Sequence, residues 1–206
     1  MNAANLFKNI AQRLYSENNL SDMTWAFMMS CEKFKDVFLT FCFDETPQNV
    51  KEISREYADD DSRPDFHFYD GEGIEYLIEI KIYDHNQHFE QYDKRFPNAR
   101  KSFLSNYPLT GADCALCSNE WKKKEWPGFV PYLSNELHNF EQDDRMLIES
   151  YLVYLKNVIE YEEVETMNLK EVCSLSDFYK CISRVVKENG FELYPRLTSA
   201  FDKDTS

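Results

Sequence analysis

The chain has 206 residues, of which 43% are hydrophobic and 16% aromatic, and it carries a formal net charge of −14. This length suits one domain with a sizeable core, and the apolar content excludes a largely disordered chain. The negative charge argues against a large non-specific nucleic-acid surface, because phosphate binding rests on Lys and Arg side chains.

The amino-terminal residues lack the basic start and apolar core of a signal peptide, and no apolar run approaches the roughly 18 residues of a membrane-spanning helix. We therefore expect a cytoplasmic protein with no membrane contact. Its six cysteines are expected to be reduced thiols. Cys114 and Cys117 have the spacing of two zinc ligands, but the sequence lacks a second such pair, so a structural zinc is disfavoured.

Hydrophobic periodicity predicts helices in the first part of the chain. One covers residues 3–16. A second is expected to begin after Ser21, which has the side chain of an N-cap. The apolar stripe then continues to about residue 43, and Pro47 ends it.

The strongest β signal follows this helical region. Residues 50–57 have the composition of a weak strand. Residues 65–69 and 74–83 are then two apolar segments, joined by the Asp-Gly-Glu-Gly sequence at 70–73. Two glycines and an aspartate in a short connection are typical of a β-hairpin.

The second half is predicted to be mainly helical. Helical patterns cover about 85–104, 143–160 and 176–188. Residues 112–116 form a candidate short strand, and 121–132, which contains two prolines, is expected to be irregular. This order of elements predicts an α/β or α+β domain in which helices flank a small mixed sheet. We expect a single domain over 1–206, with a core at about 15–118 and a helical carboxyl-terminal part at about 133–206.

Charged residues interrupt both strands of the predicted hairpin. Asp65 opens the first strand, and Glu79 and Lys81 share one face of the second, because strand side chains alternate. Burying an ionised side chain is expensive unless it is paired or binds a metal. The opposite face of the second strand is apolar and is expected to belong to the core; it consists of Ile74, Tyr76, Ile78, Ile80 and Ile82.

The length of the connection sets the pairing of the two strands. A loop of Asp70 to Ile74 pairs Tyr69 with Glu75 and places Asp65 opposite Glu79, about 5 Å apart at Cβ. Two ionised acids at that distance repel unless a cation lies between them. Oxygen ligands suit Mg²⁺ or Mn²⁺. Lys81 would then act on a bound water or stabilise charge on a phosphate.

A structural alternative accounts for the same residues. A Glu-x-Lys triplet is short, and Glu120-Trp121-Lys122 contains another. Glu79 and Lys81 would then form a surface salt bridge on a strand edge, which contributes little stability. Two features favour chemistry instead. The triplet lies inside a long apolar strand, and Pro64-Asp65 precedes it by 14 residues.

A basic segment interrupts the acidic chain. Residues 81–124 carry eight basic side chains against five acidic ones, whereas the flanking segments are strongly acidic. If a polyanion binds this chain, we expect it beside this segment, and a solvated basic face is the alternative. The residues concerned are Lys94, Arg95, Arg100 and Lys101, with Lys122–Lys124 further along.

Pro64-Asp65 on one strand and Glu79-Ile80-Lys81 on the next resemble the core motif of the PD-(D/E)XK nuclease superfamily. Glu17, ahead of an apolar helix, is similar to the helix glutamate of that superfamily, and Gln91-Tyr92 is similar to the Gln and Tyr that many members carry after the Lys strand. The resemblance covers about residues 15–95.

This resemblance implies a restriction-endonuclease-like core, in which helices flank a central mixed sheet. It also implies a nuclease that uses Mg²⁺ or Mn²⁺ to hydrolyse phosphodiester bonds, with DNA as the expected substrate. By the resemblance, Asp65 and Glu79 would ligate the metal together with the carbonyl oxygen of Ile80.

The resemblance also implies roles for the remaining residues. Lys81 would act on the attacking water, Glu17 would assist through the metal or the water, and Gln91 would orient the site or contact phosphate. Many such nucleases serve restriction or antiviral defence, and for this chain that setting is an analogy.

The net charge favours a second hypothesis, in which the protein keeps the nuclease fold without turnover and acts as a binding, inhibitory or assembly subunit. Alternatively, a homo-oligomer or a partner subunit would assemble the DNA groove. Hydrolysis of RNA or of a nucleotide messenger would use the same site.

Overall fold

The computed structural model describes residues 3–55, 63–82, 88–109 and 120–161, and of residues 3–6 only the backbone. The expected strand at 112–116, the expected helix at 176–188, Cys114 and Cys117 lie outside these residues. In the described part, no helix is long and apolar enough to cross a bilayer.

The described elements alternate between helical and extended segments along the chain. They are α1 (Ala3–Ala11), α2 (Glu17–Ser30), α3 (Glu32–Phe43), β1 (Ile53–Arg55), β2 (Phe66–Tyr69), β3 (Glu75–Lys81), α4 (Phe89–Arg95), β4 (Arg100–Ser105), β5 (Trp121–Glu125), α5 (Trp126–Glu136), a 3₁₀ turn (Leu137–Asn139) and α6 (Gln142–Val158).

The five strands form one sheet in the order β1-β2-β3-β4-β5. The pairs β1–β2 and β2–β3 are antiparallel, whereas β3–β4 and β4–β5 are parallel, so the sheet is mixed. Helices lie on both faces. This confirms the predicted α+β class and the mixed sheet between helices.

The two faces of the sheet bury separate apolar clusters. The larger core packs α2, α3, α5 and α6 on the face that carries Phe66, Ile78 and Ile80. The smaller cluster packs α4 on the opposite face and contains Leu77, Phe89, Tyr92, Phe96, Phe103 and Trp121. Because β3 is covered on both sides, Tyr76 through Lys81 are all buried.

The predicted hairpin and its register are confirmed. Tyr69 pairs with Glu75 and Phe66 with Ile78, so Asp65 comes opposite Glu79 at the next position. The turn is stabilised by Asp70, whose Oδ1 accepts the backbone N–H of both Glu72 and Ile74 at 2.9 Å.

The beginning of α2 differs from the prediction. Its N-cap is Ser16, whose hydroxyl accepts the N–H of Asn19 at 3.3 Å, and not Ser21. Ser21 is instead a buried residue one turn inside the helix. The first predicted helix also ends early, at Ala11, and the expected second helix is divided at Cys31 into α2 and α3.

Two later predictions were wrong. The helix expected over 85–104 ends at Arg95, and Arg100–Ser105 is the buried strand β4. Residues 121–132, expected to be irregular, contain β5 and the start of α5. Parallel pairing of β4 with β3 accounts for the first difference. Pro127 lies in the first turn of α5, where a missing N–H costs little.

Candidate active site

Four of the predicted site residues lie together where the first turn of α2 meets the beginning of β2 and the end of β3. They are Glu17, Asp65, Glu79 and Lys81. Asp65, Glu79 and Lys81 are only 8%, 5% and 7% exposed. Charged groups buried to this extent require partners, and those partners define the site.

Three groups from three different elements approach the Asp65 carboxylate. The backbone N–H of Ile80 on β3 donates to Oδ2 at 2.8 Å. The Ser21 hydroxyl of α2 lies 3.3 Å from Oδ1, and Nη1 of Arg55, at the end of β1, lies 3.3 Å from the same oxygen. The Asp65 carboxylate is therefore oriented by α2, β1 and β3 together.

Lys81 lies between two carboxylates. Its Nζ is 3.2 Å from Glu79 Oε1 and 3.0 Å from Glu17 Oε1. The other oxygen of Glu17 accepts the backbone N–H of Ile82 at 2.9 Å. Glu17 therefore binds both the side chain of Lys81 and the backbone that follows it.

Tyr92 approaches the same site from α4. Its hydroxyl lies 3.1 Å from Glu79 Oε2 and 3.1 Å from the carbonyl oxygen of Arg63. The one hydroxyl hydrogen is shared between these two acceptors, so Tyr92 lies between Glu79 and the residue that precedes Pro64. The ring packs in the smaller apolar cluster, which fixes its position.

The pKa values of the buried groups are shifted first by burial and then by their charged neighbours. Burial raises the pKa of Asp65 to about 7, and the neighbouring Glu79 adds to this effect, although the N–H of Ile80, Arg55 and Lys81 oppose it. Burial also raises the pKa of Glu79, against the opposing effects of Lys81 and Tyr92. Burial by itself would lower the pKa of Lys81, but the attraction of Glu79 and Glu17 outweighs it and raises that pKa.

The donor set fits a hard divalent cation. Asp65 and Glu79 would contribute carboxylate oxygens, and the carbonyl of Ile80, the residue after Glu79, would add a third oxygen. These are the ligand types that Mg²⁺ and Mn²⁺ prefer. A divalent charge would also relieve the repulsion that raises the pKa of Asp65. Within the ranges that the structure describes, no group of three or more His, Cys, Asp or Glu side chains is placed to hold a metal ion.

Gln91 lies on the exposed side of α4, and it is the adjacent Tyr92 that contacts Glu79. The sequence contained a signal for Tyr92, since it belongs to the Gln-Tyr pair of the resemblance. Ser21 and Arg55 carried no such signal. Their contact with Asp65 depends on how α2 and β1 pack beside β2.

The four basic residues proposed for nucleic acid are distributed over different surfaces. Lys94 and Arg95 are exposed on α4. Arg100 and Lys101 lie on opposite faces of β4: Arg100 pairs with Glu45, whereas Lys101 is buried with its Nζ 3.1 Å from Asp93. A surface made of these residues would therefore centre on α4.

Comparisons with protein-family models, with curated proteins and with solved structures find no match for this chain. A functional assignment accordingly depends on the residues of the site and on their chemistry.

Proposed function

We propose that the protein is a nuclease with a PD-(D/E)XK-type core that uses Mg²⁺ or Mn²⁺ to hydrolyse phosphodiester bonds, with DNA as its substrate. One observation carries the proposal. Asp65, Glu79 and Lys81 are buried on one face of adjacent strands. Lys81 contacts both Glu79 and Glu17, and Asp65 interacts electrostatically with Glu79 and Lys81. A surface salt bridge between two isolated side chains forms without burial and without several charged groups meeting at one point.

Asp65, Glu79 and the Ile80 carbonyl would hold the cation. When bound there, Mg²⁺ would supply a Lewis acid for the phosphate and lower the pKa of a water molecule. In the reaction, the oxygen of water bonds to phosphorus while the bond from phosphorus to the leaving sugar oxygen breaks. The attacking water would lose its proton to solvent, and the leaving oxygen would take one up from solvent.

The protein's own side chains would then complete the site. Lys81, kept cationic by Glu17 and Glu79, would hold the attacking water and stabilise the charge that develops on the phosphate. Tyr92 would keep the Glu79 carboxylate oriented. Lys94 and Arg95, exposed on the helix that carries Tyr92, would contact the substrate backbone.

The proposed setting is the cytoplasm, by analogy a restriction or defence system. Cys31 and Cys42 are buried free thiols, as expected in a reducing compartment. Because the chain is strongly acidic, we propose that a second copy or a partner subunit supplies part of the DNA groove.

Arg55 favours a second candidate function. Its guanidinium lies 3.3 Å from Asp65 and already supplies positive charge to the site. A protein that keeps the nuclease fold but neither binds metal nor turns over substrate would need such a cation to balance the charge of its buried carboxylates. Such a protein would act as a binding, inhibitory or assembly subunit.

The test is cleavage of labelled single-stranded DNA, duplex DNA and RNA with Mg²⁺, with Mn²⁺ and with EDTA. We expect metal-dependent cleavage by the wild type and a loss of about 10² or more in rate for Lys81→Ala. Lys33→Ala, which removes an exposed lysine of α3, is the matched control and should retain the wild-type rate.

Two results would contradict the proposal. Equal inactivity of wild type and Lys81→Ala on all three substrates would favour the silent subunit. Equal cleavage by both would show that the activity does not come from this site.

A further inference from the structure

Arg55 is a basic residue of the site that the proposed chemistry does not use. It ends β1, at the edge of the sheet, and its side chain is only 11% exposed. Its Nε lies 3.0 Å from Asp22 Oδ1, its Nη1 3.3 Å from Asp65 Oδ1, and its Nη2 3.4 Å from the carbonyl oxygen of Asn18. The guanidinium thus joins β1 both to α2 and to Asp65.

The contact with Asp65 is longer than a strong charge-assisted hydrogen bond. Such bonds measure about 2.7–2.9 Å, and the planar guanidinium forms them best in parallel pairs with a carboxylate or a phosphate. Here Nε lies 3.0 Å from Asp22 and Nη2 lies 3.4 Å from the Asn18 carbonyl oxygen, whereas Nη1 forms an ion pair with Asp65 at 3.3 Å. Asp22, at 3.0 Å, is the closest of these partners. Nη1 of Arg55 can therefore turn away from Asp65 while Asp22 retains Nε.

A divalent cation bound to Asp65 would favour the movement of Arg55 away from that carboxylate. The guanidinium lies 3.3 Å from a carboxylate oxygen of Asp65, so it would face a divalent ion bound to the same carboxylate. Like charges at such distances repel strongly in a buried environment. Arg55 cannot lose its proton in a protein, so a cation on Asp65 would favour the movement of its Nη1 towards another anion. The phosphodiester brought to the cation is such an anion, and its oxygens match the guanidinium fork.

We propose that Arg55 is a substrate-binding residue: it neutralises Asp65 in the metal-free protein and transfers to the non-bridging oxygens of the phosphodiester once a divalent cation occupies the site. This inference rests on the proposed nuclease function. It assigns two roles to one residue: Arg55 pairs with Asp65 before a metal ion binds, and it binds the phosphate afterwards. It also explains why the Arg55 guanidinium lies beside carboxylates that would bind a metal ion.

The test compares Arg55→Gln, Arg55→Lys and the control Arg145→Gln, which removes a surface arginine paired with Glu149 on α6. Mn²⁺ binding without substrate is measured by titration calorimetry. KM and kcat are measured on a short labelled oligonucleotide at saturating Mn²⁺.

Arg55→Gln removes both the competing charge and the phosphate contact. We expect it to tighten Mn²⁺ binding about threefold to tenfold and to raise KM about tenfold or more, with a smaller change in kcat. Arg55→Lys keeps the charge but not the fork, so it should bind Mn²⁺ within about twofold of wild type and still raise KM. Arg145→Gln should change neither value.

The inference would be overturned by an unchanged KM in folded Arg55→Lys, or by unchanged or weaker Mn²⁺ binding in Arg55→Gln. If these variants still cleave the substrate, the nuclease function remains supported. If Arg55→Gln fails to fold, the Arg55→Lys comparison decides. A wild type that neither binds Mn²⁺ nor cleaves would overturn the nuclease function, and this inference with it.

Discussion

The carboxylate of Glu17 joins the first turn of α2 to the end of β3 through Lys81. Oε1 accepts from Lys81 Nζ at 3.0 Å, while Oε2 accepts from the N–H of Ile82 at 2.9 Å. Since Glu79 Oε1 lies 3.2 Å from the same ammonium group, Lys81 is held between two acids. Its position therefore depends on a residue more than 60 positions away in the chain.

Glu17→Gln should lower kcat while leaving metal binding nearly intact. The amide can still accept a hydrogen bond but supplies no negative charge, so one of the two groups that raise the pKa of Lys81 is lost. We expect kcat to fall about 10-fold to 100-fold at saturating Mn²⁺. The Mn²⁺ affinity, measured by calorimetry, should change little because Glu79 and Asp65 remain.

The matched control for this variant is Glu32→Gln. Glu32 also pairs with a lysine, at 2.8 Å from Lys35 Nζ, but it lies on α3 and is exposed. A similar loss of kcat in both variants would show that the effect of Glu17 is not specific to the site.

Tyr92→Phe should weaken both the fold and the metal site. The variant removes the hydroxyl that contacts Glu79 and the Arg63 carbonyl, and leaves the buried Glu79 carboxylate without this contact. We expect the free energy of unfolding in urea to fall by about 1–3 kcal/mol and Mn²⁺ to bind several-fold more weakly. Tyr69→Phe is the comparison. The Tyr69 hydroxyl donates to Glu75, but Tyr69 is exposed, so this variant should lower the free energy of unfolding less. Equal losses in the two variants would contradict the role assigned to Tyr92.

The raised pKa of Asp65 predicts how the stability of the metal-free protein depends on pH. Burial, followed by Glu79, raises this pKa from 3.8 to about 7, so the folded state binds the proton more tightly than the unfolded state. The free energy of unfolding contributed by Asp65 therefore falls as pH rises from about 4 to about 7. Above pH 7 both states are ionised, and this contribution becomes constant.

Asp65→Asn should remove that dependence. In EDTA, the stability of the wild type relative to the variant is expected to decrease through the same pH range, as measured by urea unfolding. Added Mn²⁺ should restore stability to the wild type above pH 7 and not to the variant, because metal binding requires the ionised carboxylate. A stability difference that stays constant with pH would contradict the raised pKa of Asp65.

Two glycines should respond in opposite ways to alanine. A Cβ at Gly71 would lie 2.7 Å from Asn49 Cβ and 3.3 Å from the Gln48 carbonyl oxygen, so Gly71→Ala should cost about 1–3 kcal/mol. At Gly128, in α5, the nearest atom is Phe41 Cζ at 3.7 Å, and alanine should stabilise the helix by about 0.5–1 kcal/mol. Thermal unfolding of both variants tests these two expectations. A destabilised Gly128→Ala would contradict the packing of α5 on α3.

The sequence by itself determined the hairpin and the face on which its charges lie. Side-chain alternation and the length of one short connection are local properties, and they sufficed to place Asp65 opposite Glu79 with Lys81 on the same face. The apolar periodicity of α6 was likewise sufficient to predict a helix from about residue 143.

Only the tertiary structure decided what surrounds those charges. Strand β4 has no clear alternation, because pairing with β3 and β5 and cover on both faces bury nearly all of it, including Lys101. Arg55 and Tyr92 reach the acids only because β1 and α4 pack beside β2 and β3. Such contacts join residues far apart in the chain, and local periodicity carries no information about which distant side chains meet.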